Sequence, residues 1–252
     1  MGAGSLAGNT TTLGRIGTGF MYADWKSQVA YTSPNFNGFQ FTGGVTQAWN
    51  ALAGLDTSAG SSARGGKSPA FEGKASYAFT ADQVNGKVWA SGISQKVEGL
   101  LTAPGDRKDN RATAWDIGAN ANMAGFGLTG YYGEGRGIGQ TVQLLDGFDA
   151  DGEKRKSEQW YTQATYTLPG VGTKLGVSYG ESKLNGNVDV DNFKDIKDSM
   201  WVVGAYHPLT KHLNLVAEYS ESKREASTYS GDDLVNRSGK AKTVSLGAIL
   251  FF

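Results

Sequence analysis

The residues able to do chemistry are thinly spread through the chain. Between Gly147 and Glu158, Asp149, Asp151 and Glu158 occupy the third, fifth and twelfth places of a calcium-loop pattern, with Gly152 at the sixth. Carboxylates at that spacing can wrap a hard cation. The first place, however, holds Gly147 and no helical pattern flanks the loop, so a charged surface loop is expected and no metal site is assigned. The stretch Gly60 to Ser68 imitates a phosphate cradle but carries one glycine too many and precedes a strand pattern. His207 and His212 flank a single turn, which leaves no metal set and no nucleophile triad. No Gly-x-Ser-x-Gly elbow occurs either. What remains is a set of isolated charges, Lys26, Glu72, Lys74, Asp116, Lys174 and Glu218, all on the polar parity of alternating segments. Charges so placed act on a solute by sign wherever their face borders water.

The elements that would carry these charges are strands. The chain has 252 residues, 24 basic against 24 acidic groups, no cysteine, 37 glycines and 5 prolines. Zero net charge removes the electrostatic case for nucleic acid, and the absence of cysteine excludes disulfides and thiolate metal sites. Glycine is about twice its ordinary usage without a three-residue period, and 11 Tyr, 11 Phe and 6 Trp argue against disorder. No apolar run approaches the length of a membrane-spanning helix. Met1 to Leu13 lack the basic start and apolar middle of a secretory signal.

Alternating apolar and polar residues mark eleven segments, beginning near Trp25, Phe39, Phe71, Lys87, Ala112, Phe126, Ser157, Thr173, Ser199, Leu213 and Ala241. Short and long intervals between them alternate without exception. Turn chemistry fills the short connections, at Pro34 to Gly38, Asp82 to Gly86, Ala124-Gly125, Gly170 to Gly172 and Thr210 to His212. The long ones, such as Thr57 to Ser68 and Ser227 to Lys240, are polar. Tight turns at one rim and long loops at the other describe an all-β, antiparallel, up-and-down transmembrane barrel. In the last segment Val244, Leu246, Ala248, Leu250 and Phe252 share one face, opposite Thr243, Ser245 and Gly247. Segments close to ten residues long suffice to cross a bilayer at a tilt, whereas soluble strands average about five or six. Aromatics on the apolar parity near segment ends would form two interfacial girdles: Trp25, Tyr31, Phe39, Phe71, Phe79, Phe126, Tyr132, Trp160, Tyr166, Tyr179, Tyr219 and Phe252. Lys242, also on the apolar parity, is expected at the far interface. The alternation by itself is equally compatible with a soluble β protein that binds carbohydrate or serves as a scaffold.

Three stretches carry a resemblance. Tyr31-Thr-Ser-Pro34-Asn-Phe36-Asn-Gly38-Phe39, Tyr206-His-Pro-Leu-Thr-Lys211 and Gly247-Ala-Ile-Leu-Phe-Phe252 resemble the Gram-negative general porins, and the similarity covers about residues 24 to 252. That resemblance implies a passive diffusion channel of the outer membrane, with no enzymatic activity and no cofactor. It implies a sixteen-stranded, homotrimeric barrel in contact with outer-membrane lipid and lipopolysaccharide. The terminal aromatic and alternating apolar residues, here Leu246, Ala248, Leu250 and Phe252, would be the signal read by the barrel-assembly machinery. On the same reading the first segment corresponds to the sixth strand, five strands and a signal peptide precede this chain, and residues 1–23 are the tail of an inward-folded constriction loop. Arg15 would then join the pore-lining charges. A smaller even-numbered barrel, with Thr10 to Met21 as a twelfth strand, is the other architecture the residues allow.

Overall fold

The computed structural model describes residues 27–48, 67–103, 105–140, 144, 146–231 and 233–252. Every regular element among them is a strand: β1 (Gln28–Thr32), β2 (Phe39–Thr46), β3 (Ala70–Ala81), β4 (Val84–Leu101), β5 (Arg107–Met123), β6 (Phe126–Arg136), β7 (Lys156–Thr167), β8 (Lys174–Asn185), β9 (Phe193–Pro208), β10 (Leu213–Ser230) and β11 (Asp233–Leu250). They form one sheet in strictly sequential order, each strand antiparallel to the next. Among the described residues β1 pairs only with β2, and β11 only with β10.

The short connections use left-handed backbone where the turn demands it. Asp82 has φ 50°, and Ala124 and Gly125 have φ 49° and 84°, the positive pair that lets a two-residue hairpin follow the twist of its strands. At the first turn Asn35 Oδ1 accepts a hydrogen bond from the Gly38 amide at 2.6 Å, and Gly38 has φ 97°.

On the opposite side the strands are longer than the alternation indicates. β4, β10 and β11 each run 18 residues. Ser227 to Lys240, expected as loop, is mostly hairpin, paired as far as Ser230 with Asp233. Along the extra length Lys, Arg, Asp and Glu are interspersed with apolar residues, so the alternating pattern is lost while the backbone pairing continues. Cross-strand ion pairs run along it, including Lys96 to Asp109 at 2.9 Å and Lys197 to Glu225 at 3.1 Å. Lys242 and Lys240 both pair with Glu221, at 3.8 and 3.3 Å.

One face of the sheet is apolar and open. Leu246 is 81% exposed, Leu250 62% and Trp115 51%, in a band that also includes Ile117, Leu128, Val177, Val203 and Val244. Aromatics bracket the band six residues apart on the same strand, at Phe71 and Tyr77, Phe126 and Tyr132, and Trp160 and Tyr166, which is about 20 Å along a strand. Neighbouring strands pair them: Trp115 with Tyr132, Trp160 with Tyr179, Trp201 with Tyr219 and, at the other rim, Phe126 with Tyr166, at centroid distances of 5.6, 5.4, 5.1 and 4.3 Å. Such a face in water would be an aggregation surface; in lipid it is a solvent match. Leu246→Arg should therefore cost about 2–4 kcal/mol of folding stability in lipid vesicles, and Ser245→Arg much less. Guanidinium titration of the refolded chain reads the difference, and equal costs would remove Leu246 from a lipid-facing position.

Candidate functional site

The opposite face is lined by small and polar side chains, and strand register sorts them into rows. One row runs Lys74, Ser91, Asp116, Gly133 and Gln159 across β3 to β7. The next row toward the short turns runs Trp89, Gly118, Tyr131 and Tyr161. The row on the other side holds Glu72 and Ile93. Together they line a cavity of about 620 Å³. Of the charges picked from sequence, the structure thus brings Glu72, Lys74 and Asp116 together. Ser91 Oγ is hydrogen-bonded to Asp116 Oδ2, and the Lys74 ammonium lies 5.9 Å from the centre of the Trp89 ring. Lys174 and Glu218 share the polar face but sit elsewhere. Lys174 is exposed at the start of β8, and Glu218 accepts the Tyr206 hydroxyl at 2.5 Å. Arg15 and Lys26 lie outside the described residues, as do residues 1–23 and the Thr10 to Met21 segment.

The sequence reading missed the aromatic row. Trp89, Tyr131 and Tyr161 stand on the polar parity, opposite the parity searched for girdles. The signal that could have revealed two of them is a neighbouring glycine. A Cβ on Gly118 would lie 2.2 Å from the Trp89 indole, and one on Gly133 would lie 3.3 Å from the Tyr131 hydroxyl. Glycine is what lets these rings lie flat against the wall. Tyr131 and Tyr161 stack at 5.3 Å with 17° between their planes.

A second feature is the connection from β6 to β7, which folds over the polar face. Its Ile138, Leu144 and Phe148 pack on Val97, Leu100 and Ala112 of β4 and β5 to form a dry cluster. Gln140 is buried beside it. Its side-chain amide donates to the Ser182 and Ile196 carbonyls at 2.7 and 3.3 Å, and its own carbonyl accepts from Gln159 Nε2 and Ser182 Oγ at 2.8 and 3.2 Å. Ile138 also lines the cavity. The connection is tied to the β8–β9 loop by a two-point ion pair between Arg155 and Asp191, with Arg155 Nε 2.9 Å from Asp191 Oδ2.

This arrangement consumes the calcium-loop acids. Asp149 Oδ1 accepts the Asp151 and Glu153 amides at 2.9 and 2.8 Å, and Oδ2 accepts from Asn187 Nδ2. Glu158 is on the outer face of β7 with Lys156, away from Asp149, and no cluster of acids or histidines able to hold a metal occurs among the described residues. Likewise His207 is hydrogen-bonded to Thr173, and His212 to the Phe251 carbonyl.

A family model described as Gram-negative porin matches residues 1–227. The chain belongs to that family. No curated protein sequence matches it. Among solved structures it is similar to the outer membrane channel DcaP of Acinetobacter baumannii, with a TM-score of 0.57 and 15% identity over 86% of this chain and 62% of that one. It is similar also to OprB of Pseudomonas putida, with a TM-score of 0.53 and 10% identity over 91% of this chain and 61% of that one. The trimer form of OmpT, an outer membrane protein of Vibrio cholerae, matches with a TM-score of 0.50 and 12% identity over 87% of this chain and 64% of that one. The chain thus spans less than two thirds of the length of these porin-fold structures. The fold class is that of outer-membrane β-barrel porins and the localisation is the outer membrane, as the sequence resemblance implied.

In this porin the inward connection has an acid-sensitive anchor. Burial pushes the Asp191 carboxyl up, but the Arg155 guanidinium and the Asn187 amide outweigh it and hold the group below the ordinary value of 3.8. A carboxylate lowered by folding stabilises the fold above its unfolded pKa and ceases to as pH falls through the folded one. The chain has no cysteine, so a nitroxide can be placed uniquely at Asp151→Cys. Its spectrum should be immobile at neutral pH and gain mobility below pH 3.8. Asp191→Asn should show the mobile spectrum already at neutral pH; an unchanged spectrum in both would detach Asp191 from the anchor.

Proposed function

We propose that the chain forms wall of a water-filled channel through which small hydrophilic solutes and ions diffuse passively, without catalysis and without a cofactor. The observation that carries this reading is the division of one continuous sheet into two faces. One carries an exposed apolar band across the strands, and the other is set with glycine, serine, threonine, asparagine, glutamine and a few charges of both signs. Membership of the porin family and the porin fold of the matched structures support it. An exposed apolar band of this extent argues against the soluble carbohydrate-binding or scaffold reading.

Arg15, Lys26, Glu72, Lys74, Asp116, Lys174 and Glu218 are the pore-lining charges on this reading. Their mixed signs favour weak ion preference. The short turns face the periplasm and the long hairpins the exterior, where lipopolysaccharide would meet the charged upper strands. Leu246, Ala248 and Leu250, on the exposed face of β11, with Phe252 just beyond it, form the assembly signal. Assembly as a homotrimer is supported by the matched trimer form of OmpT.

Planar bilayers test the channel reading. The refolded chain should give stepwise, voltage-independent conductance, and Lys74→Glu should shift the reversal potential in a salt gradient toward cations. No conductance would sink the channel reading for this chain, and an unshifted potential would remove Lys74 from the conducting wall.

A further inference from the structure

We propose that the cavity beneath the inward connection is a binding subsite for small organic cations rich in N–H donors, with a guanidinium the best fit. The inference rests on reading the polar face as a solvent-filled passage and names a solute class for it.

Two side-chain atoms among the described residues are buried without a hydrogen-bond donor from the protein: Asp116 Oδ1 and Gln159 Oε1. Both are acceptors. Both belong to one register row, separated only by Gly133, which has no side chain to offer, and both residues line the same cavity. A buried polar atom left unpaired costs about 1–3 kcal/mol, so two in one wall call for a ligand that donates to both. An anion with no O–H or N–H of its own cannot do so. A planar cation with several N–H groups can, and its bonds to the carboxylate are charge-assisted.

The adjoining row supplies the second half of the recognition. Trp89, Tyr131 and Tyr161 all line the cavity, and aromatic rings attract cations through their quadrupole. Lys74 demonstrates the point from within the protein, because its ammonium already stands over Trp89. The Tyr131–Tyr161 pair lies on the far side of Gly118 from Trp89, in line with the acceptors. Glu72 and Asp116 against Lys74 leave the cavity lining with an excess of negative charge. A guanidinium stacks on aromatic faces and forks onto paired acceptors, which matches both rows. At about 620 Å³ the cavity falls within the size range of small-molecule sites.

Calorimetric titration of the full chain in lipid nanodiscs, with agmatine as the probe and glucose and benzoate as uncharged and anionic comparators, tests the assignment. Agmatine should bind saturably and the comparators should not. Asp116→Asn should weaken binding at least tenfold, Tyr161→Leu several-fold, and Lys74→Met should leave it unchanged or strengthen it. Gln159→Leu provides a second acceptor variant should Asp116→Asn fail to fold. Absence of saturable agmatine binding, equal binding of benzoate or glucose, or full affinity in the acceptor variants would overturn the proposal, as would loss of binding in a folded Lys74→Met chain. A chain that conducts but does not bind agmatine sinks the subsite alone. One that binds agmatine without conducting sinks the channel reading and leaves the subsite standing.

Discussion

Hydrocarbon offers no hydrogen bonds, so every backbone N–H and C=O inside a membrane must be matched by another part of the protein. Among the described residues no helix is long and apolar enough to cross, and the strands from β1 to β11 hydrogen-bond to their neighbours. Sequential antiparallel pairing is the simplest way to achieve this, because most strands meet their neighbour through a turn of a few residues. Once pairing is fixed, side chains have only two directions available. The rest of the molecule follows from that restriction: one face must satisfy lipid, and everything functional must be set on the other.

The restriction makes glycine a constructive residue here. On the polar face a glycine is the floor on which a ring can lie, as Gly118 is for Trp89. Elsewhere on that face it keeps a row open, as Gly133 does between Asp116 and Gln159. The high glycine count, puzzling in a chain with so many aromatics, is therefore the complement of those aromatics. A porin wall gains ring faces in its interior only by giving up side chains next to them.

How much of this is legible in the sequence depends on whether a strand has one wet face or two. Where one face meets lipid, alternation is strong, and Phe39, Phe126 and Leu213 begin strands where the pattern says they should. Above the band charged residues break the alternation, and apolar ones such as Val97 and Leu100 sit on the inward face. There β9 begins at Phe193 and β11 at Asp233, while the pattern starts them at Ser199 and Ala241. Cross-strand ion pairs such as Lys197 to Glu225 hold those extensions, and no periodicity in a single segment records a partner on another strand. The convergence of Glu72, Lys74 and Asp116 was half legible. Parity placed them on one face, but only register brings Asp116 level with Lys74. The inward connection left no local trace, because the residues that Ile138 and Phe148 pack on, Val97 and Leu100, lie on another hairpin.

That connection also has a consequence for how the passage is shaped. Swinging it outward would expose the cluster of Val97, Leu100, Ala112, Ile138, Leu144 and Phe148 to water and strip Gln140 of four hydrogen bonds. Removing one buried polar partner alone costs about 1–3 kcal/mol, and the apolar cluster adds to that. At neutral pH the connection is therefore a fixed part of the wall, and the cavity beneath it keeps a constant roof. A roof held that firmly also holds Gln159 in place, since the side chain that donates to the Gln140 carbonyl is the one that carries the unpaired oxygen. The rigidity of the loop and the orientation of the acceptor are one interaction seen from two sides.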